Sequence, residues 1–280
     1  MDYTQDLYAI LTDKVNRVVA AGGTVTQRYR DLDNRLDEYR YRPAGWLHDL
    51  ATAVINGEDI DRVRELYTLT VAEAVGGVQG TQKGSVYGTA ENLVDQQVTN
   101  LVAAEMSKEY SANSAMPNLK VLATKFDKLW SEFVSLSKIV DPETNADQIV
   151  GKDAKVQQAW LRQLEVKAEL DSVLFALGTA ADLAGTRGIT GNANTYLGLV
   201  MHPSAEGQAR KRVWEAWGSD GRCGRWSPLI GLGETLKAIQ APNEYTPYAA
   251  YQGVYEKHER TQWGSRPYYV DAETGERVNG

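Results

Sequence analysis

Residues 76–85, GGVQGTQKGS, hold four glycines, a lysine and a serine, the residue types from which a phosphate-cradling loop is built. That chemistry has a strict pattern, G-x-x-x-x-G-K-[ST]: glycines let backbone N–H groups converge on the anion, lysine reaches the terminal phosphate and the hydroxyl holds magnesium. Counted from Gly77, Gln82 stands where the second glycine belongs and Gly84 where the hydroxyl belongs. The stretch also follows the helix-like DRVRELYTLTVAEAV, whereas a phosphate loop follows a buried strand. These residues read as a flexible hinge between two helices, and no nucleotide or other cofactor is expected.

Metal and nucleophile chemistry find little material. The run DPETNADQIVGKD (141–153) places oxygens at Asp141, Glu143, Asn145 and Asp147, the every-second-residue spacing of a calcium loop. Ala146 occupies the position of the sharp-turn glycine and Lys152 that of the closing glutamate, so the run reads as a polar interhelical loop. His48, His202 and His258 lie far apart in the chain and share no paired spacing, so no metal site is predicted. GSVYG has its serine one place early for a nucleophile elbow, and Ser135 with Lys138 falls inside a heptad-like stripe without companion motifs. Cys223 stands between Arg222 and Arg225 with no histidine nearby, which makes it a bystander thiol in a turn. No catalytic residue is assigned.

Two aromatic-rich segments carry the remaining signal. In ARKRVWEAWGSDGRCGRW (209–226), Arg210, Lys211, Arg212, Arg222 and Arg225 are interleaved with Trp214, Trp217 and Trp226. Cations for phosphates beside flat rings for bases are the means of single-strand binding. Trp214 and Trp217, three apart, equally suit the buried face of a helix. In the last forty residues, Thr246-Pro247 looks like a helix start, after which Tyr248, Tyr251 and Tyr255 would share one face, with Trp263, Tyr268 and Tyr269 beyond. Tyrosine joins a large apolar ring to a polar tip, which suits a surface wet when free and covered when bound.

The elements that must position these residues are mostly helical. Leu119, Leu122, Phe126, Leu129, Phe133, Leu136 and Val140 alternate spacings of three and four, as do Val166, Leu170, Val173, Leu177, Ala180 and Ala184. These two stripes predict long helices packed on each other. Shorter helices are predicted over 4–20, 25–40, 45–56, 58–75 and 89–110, broken at Gly22-Gly23, Pro43 and Asn56-Gly57. GTRGITGNANTYLG (185–198) reads as a loop or short hairpin, and further helices are expected over 204–217 and 228–240. The fold class is mainly α: an antiparallel multi-helix bundle with an irregular, aromatic-rich C-terminal region. Its parts would be a bundle over 1–184, a loop-and-helix region over 185–240 packed on it, and an extended tyrosine-rich tail over 241–280.

Composition narrows function further. Residues 1–184 hold 19 Lys+Arg against 27 Asp+Glu, and residues 185–280 hold 11 against 10. The acidic part repels a polyanion, so only the C-terminal third could grip nucleic acid. The acidic start MDYTQDLYAIL lacks a secretory pattern, and VLFALGTAADLA (173–184) is too short to span a bilayer. A single cysteine fits a reducing compartment. The expectation is a soluble cytoplasmic or intracellular protein that contacts no membrane. It would be a non-enzymatic structural or protein–protein interaction protein, a subunit of a larger assembly such as a virus particle. Its C-terminal aromatics would hold a protein partner, either another copy or a neighbouring subunit. Nucleic-acid binding by the 209–226 cluster is the alternative, and an enzyme with a site assembled from scattered residues the third reading.

Overall fold

A computed structural model describes residues 7–40, 46–76, 81–82, 85–86, 90–202, 204–233, 235–251, 253–261, 264–272 and 274–278. The chain is mainly helical and divides into two compact units. The first takes the described residues up to Asp13 and those from Val25 to Asn113; the second takes Lys14–Thr24 and Ser114 onward. Helix α1 (Leu7–Ala20) contributes one end to each.

The first unit contains α2 (Gln27–Arg40), α3 (Trp46–Asn56), α4 (Ile60–Gly76), β1 (Thr81–Gln82), β2 (Ser85–Val86) and α5 (Ala90–Asn113). Helix α2 packs on α5 and α3 on α4. Tyr29 meets Tyr110 edge-on, with ring centroids 6.1 Å apart, and Leu36, Leu66 and Met106 are buried with them. Arg28 bridges to Glu105 at 2.6 Å, and Thr26 Oγ1 donates to Glu109 at 2.8 Å. Where a hinge is expected at GGVQGTQKGS, a short antiparallel ladder sets Thr81 opposite Val86 and Gln82 opposite Ser85. The two residues between these strands, residues 77–80 and residues 87–89 fall outside the described residues.

The second unit is built on α6 (Ala115–Ser137) and α8 (Ala154–Leu183), joined through α7 (Ala146–Ile149). The two long helices run antiparallel: Arg162 near the start of α8 bonds Glu132 near the end of α6 at 2.7 Å. From the two stripes, Leu119, Leu122, Phe126, Phe133, Val166, Leu170, Leu177 and Ala180 are fully buried against one another. Asp153 caps α8 by accepting from the Val156 N–H at 2.9 Å. The Asn118 side chain fastens the turn after α1, accepting from Thr24 N and donating to Thr24 O, both at 2.8 Å.

Around this pair lie α9 (Ala193–Val200), α10 (Gly207–Trp217) and α11 (Trp226–Gly231). Two boundaries differ from the sequence expectation. The glycine-rich 185–198 ends in helix α9, whose Leu197, Leu199 and Val200 are buried, so packing outweighs weak helix propensity there. The helix expected over 228–240 stops at Gly231. Beyond it the chain runs extended along the end of α9, with Lys237 N donating to Val200 O at 2.8 Å and Ile239 N to Leu199 O at 2.9 Å.

The tail is corrected more fully. No helix begins at Thr246; residues 245–251 form an irregular strap, followed by an antiparallel meander of β3 (Val254–Thr261), β4 (Gly264–Asp271) and β5 (Arg277–Val278).

Candidate functional site

The strap and the root of the meander are fixed to the second unit by polar contacts. Tyr248 is 1% exposed. Its ring meets Trp214 edge-on at 6.1 Å, its hydroxyl accepts from Ala205 N at 3.2 Å, and its own N–H donates to Asn194 O at 2.9 Å. Trp214 Nε1 donates to Ala249 O at 3.0 Å. At the end of β4, the carboxylate of Asp271 is buried and accepts from Gln208 Nε2 at 2.9 Å and from the Tyr251 hydroxyl at 3.3 Å. Tyr248 and Tyr251 therefore hold the chain to itself.

Beyond that root the meander stands out as a ribbon. Residues 254–258 and 264–267 are exposed, while Val270 and Asp271 at the base are buried. Strand pairing places Tyr255 opposite Val270 and Tyr269 opposite Glu256. Side chains of directly opposed residues share a face and alternate along a strand, so Tyr255 and Tyr269 project on opposite faces. They are 42% and 48% exposed. Tyr268 lies 4.5 Å beneath the Arg277 guanidinium, which bonds Glu259 at 3.0 Å. Trp263 falls outside the described residues.

The cationic and aromatic residues of 209–226 are placed differently from a base-stacking platform. Trp226 is fully buried among Phe126, Trp130 and Trp217, and donates from Nε1 to Asp171 at 3.1 Å. Trp217 is buried as well, with Arg225 over its ring at 4.5 Å. Arg222 lies 3.7 Å above the Trp160 ring and donates to the carbonyls of Pro142 and Trp160. Arg210 donates to Ala205 O at 2.6 Å, Lys211 approaches Glu215 at 3.7 Å, and Arg212 is exposed. The ring faces that would stack bases are inside the core or tied to the strap.

The remaining candidates resolve into structural contacts. Glu143 of the calcium-like run accepts the N–H groups of Arg222 at 2.8 Å and Cys223 at 3.1 Å. Among the described residues, no group of three or more His, Cys, Asp and Glu lies close enough to hold a metal ion. Burial pushes the Cys223 thiol up to about 11, well away from a reactive thiolate. His258 meets Glu256 at 3.2 Å on an exposed strand, and His202 is exposed. An open apolar groove of about 360 Å³ is lined by Ala146, Ile149, Val150, Gln157, Trp160 and Leu161, none of them titratable.

These features define a mainly helical protein carrying a C-terminal β-ribbon. No protein-family model, curated protein or solved structure matches the chain. Among the described residues, no helix is long and apolar enough to cross a membrane. The sequence signal for the ribbon was its tyrosine content; the alternation of strands was hidden because both faces are solvated, so polar and apolar residues do not alternate.

Proposed function

We propose that this protein is a non-enzymatic interaction protein, a subunit of a larger assembly that joins its neighbours through the C-terminal ribbon. The observation that carries this reading is the contrast within the ribbon. Its root is keyed into the second unit by buried Asp271, while Tyr255 and Tyr269 project from opposite faces into solvent. Beyond its pairs with β5 at Tyr269 and Val270 the ribbon is two-stranded with exposed faces, an arrangement marginal by itself, and exposed tyrosines gain most when a partner covers them. Docking on a neighbour supplies what the ribbon lacks.

Light scattering over a concentration series, combined with hydroxyl-radical footprinting, tests this. The mass is expected to rise above the 30.9 kDa of one chain, with protection of Tyr255, Tyr268 and Tyr269 growing in step. Association that leaves these tyrosines as reactive as at high dilution would remove the ribbon from the interface.

A further inference from the structure

Among the described residues, strand β3 is the outer strand of its sheet, paired on one side with β4. The backbone pairing shows which of its groups face outward. Ala272 N donates to Gly253 O at 3.1 Å, so the pair 253 with 272 is a hydrogen-bonded one. Such pairs alternate along an antiparallel ladder. Residues 255, 257 and 259 therefore bond to β4, and Val254, Glu256, His258 and Arg260 turn their N–H and C=O groups to the open edge.

Charges along an edge strand ordinarily discourage pairing, so their order decides what the edge accepts. Here the order is Glu256, Lys257, His258, Glu259, Arg260, in which sign reverses about His258. Glu256 is matched by Arg260 and Lys257 by Glu259. Glu256, Lys257, His258 and Arg260 are exposed and Glu259 is half-buried.

We infer that the open edge of β3 pairs antiparallel with β3 of a second copy, about a two-fold axis at His258, so that the two ribbons form one continuous sheet. Outward-facing residues of one strand must meet outward-facing residues of the other, which removes every second register. Of those left, the register centred on His258 sets Glu256 against Arg260 of the second copy and Lys257 against Glu259 of the second copy, each twice by symmetry. The neighbouring allowed registers place Lys257 on Lys257 or Glu259 on Glu259, and like charges directly opposite destabilise a sheet. Glu259 already holds Arg277 on its own ribbon, and Lys257 of the second copy adds a further cation on the same face. Main-chain hydrogen bonds provide the affinity and the charge order fixes the register, the division found wherever a strand is added to a sheet edge.

This inference rests on the ribbon being the interface and adds the partner and the register. Charge exchange in the full-length chain tests it, with sedimentation velocity as the readout. Glu256→Lys sets a cation against Arg260 of the second copy, and Arg260→Glu sets two carboxylates together. Each variant alone should weaken self-association about tenfold or more. Mixed in equal amounts, the two variants should associate again as mixed pairs, because one chain of each kind sets Lys against Glu at one end and Arg260 against Glu256 at the other, and the doubly exchanged chain should recover fully. In the associated wild type, the amides of Glu256, His258 and Arg260 should exchange slowly, and on dilution quickly. Single variants that associate as the wild type does, or a doubly exchanged chain that stays dissociated, would overturn the edge pairing. If footprinting still protects the tyrosines in that case, the ribbon stands as an interface through its faces. A chain that stays monomeric at every concentration overturns both.

Discussion

Gln208 Nε2 lies 2.9 Å from Oδ2 of Asp271 and donates to it, joining the first turn of α10 to the last residue of β4. The same carboxylate takes the Tyr251 hydroxyl and, through Oδ1, the Thr274 N–H at 3.1 Å. Asp271 is 1% exposed, so water cannot replace it. Asp271→Ala should cost about 2–3 kcal/mol, because buried donors lose a charged acceptor, and Gln208→Ala about 1 kcal/mol. Urea unfolding measures both. Proteolysis at the ribbon should quicken in Asp271→Ala, and equal cleavage rates would show that the ribbon is rooted elsewhere.

Gly198 in α9 lies directly under the strap. A Cβ at this position would collide with the Thr246 carbonyl and come within 3.0 Å of Pro247 Cα. Both obstacles are backbone, which cannot swing aside as a flexible side chain would. Gly198→Ala should destabilise the chain by about 1–3 kcal/mol through overpacking, although alanine is the better helix former. A stability gain from this substitution would mean the strap does not press on α9.

Trp226 decides between a core and a stacking platform for the 209–226 cluster. It is fully buried, with ring centroids of Phe126, Trp217 and Trp130 at 5.8, 6.0 and 6.1 Å. Trp226→Ala should therefore cost about 3–5 kcal/mol, read as a lowered urea midpoint. A variant that kept the native midpoint and lost only affinity for single-stranded oligonucleotides would reverse this assignment.

Cys223 sets part of the alkaline limit of stability. Burial raises its thiol from an ordinary 9.0 to about 11, against the pull of Arg222. The folded chain thus keeps this proton to higher pH than the unfolded chain does. The stabilisation is complete below about 9 and is lost as pH rises through about 11. Tyr29, Tyr196 and Tyr245 are raised by burial too and act in the same direction. The urea midpoint should fall over this window, less steeply in Cys223→Ala, and superimposable slopes would contradict the burial argument.

How much of this was legible in the sequence depended on whether packing left a period. The stripes of α6 and α8 were readable because each helix buries one face, which forces apolar residues to spacings of three and four. The tail misled for the opposite reason. Tyr248, Tyr251 and Tyr255 have helical spacing, yet Tyr248 enters the core, Tyr251 serves Asp271 and Tyr255 begins a ribbon with two wet faces. Helix α9 and the extended 235–239 escaped notice because each is held by the other through Lys237 with Val200 and Ile239 with Leu199, contacts between segments far apart in the chain. Glu143, read as a failed calcium ligand, gains its role from Arg222 and Cys223, 79 and 80 residues away.

The tyrosines grouped by the sequence should therefore separate in experiment. Tyr248 fills the space against Trp214 and accepts a backbone hydrogen bond, so Tyr248→Ala should cost about 3–5 kcal/mol, the range for removing a buried ring. Tyr255 and Tyr269 are 42% and 48% exposed, and surface substitutions away from special contacts stay within about 0.5 kcal/mol. Tyr255→Ser and Tyr269→Ser should leave the urea midpoint nearly unchanged while weakening association of the chain through its ribbon. The ammonium of Lys257 lies 5.1 Å from the Tyr255 ring, so Tyr255→Ser also frees the lysine that the edge pairing sets against Glu259 of a second copy. If Tyr255→Ser lowered the midpoint as far as Tyr248→Ala does, the ribbon would belong to the core rather than to an interface.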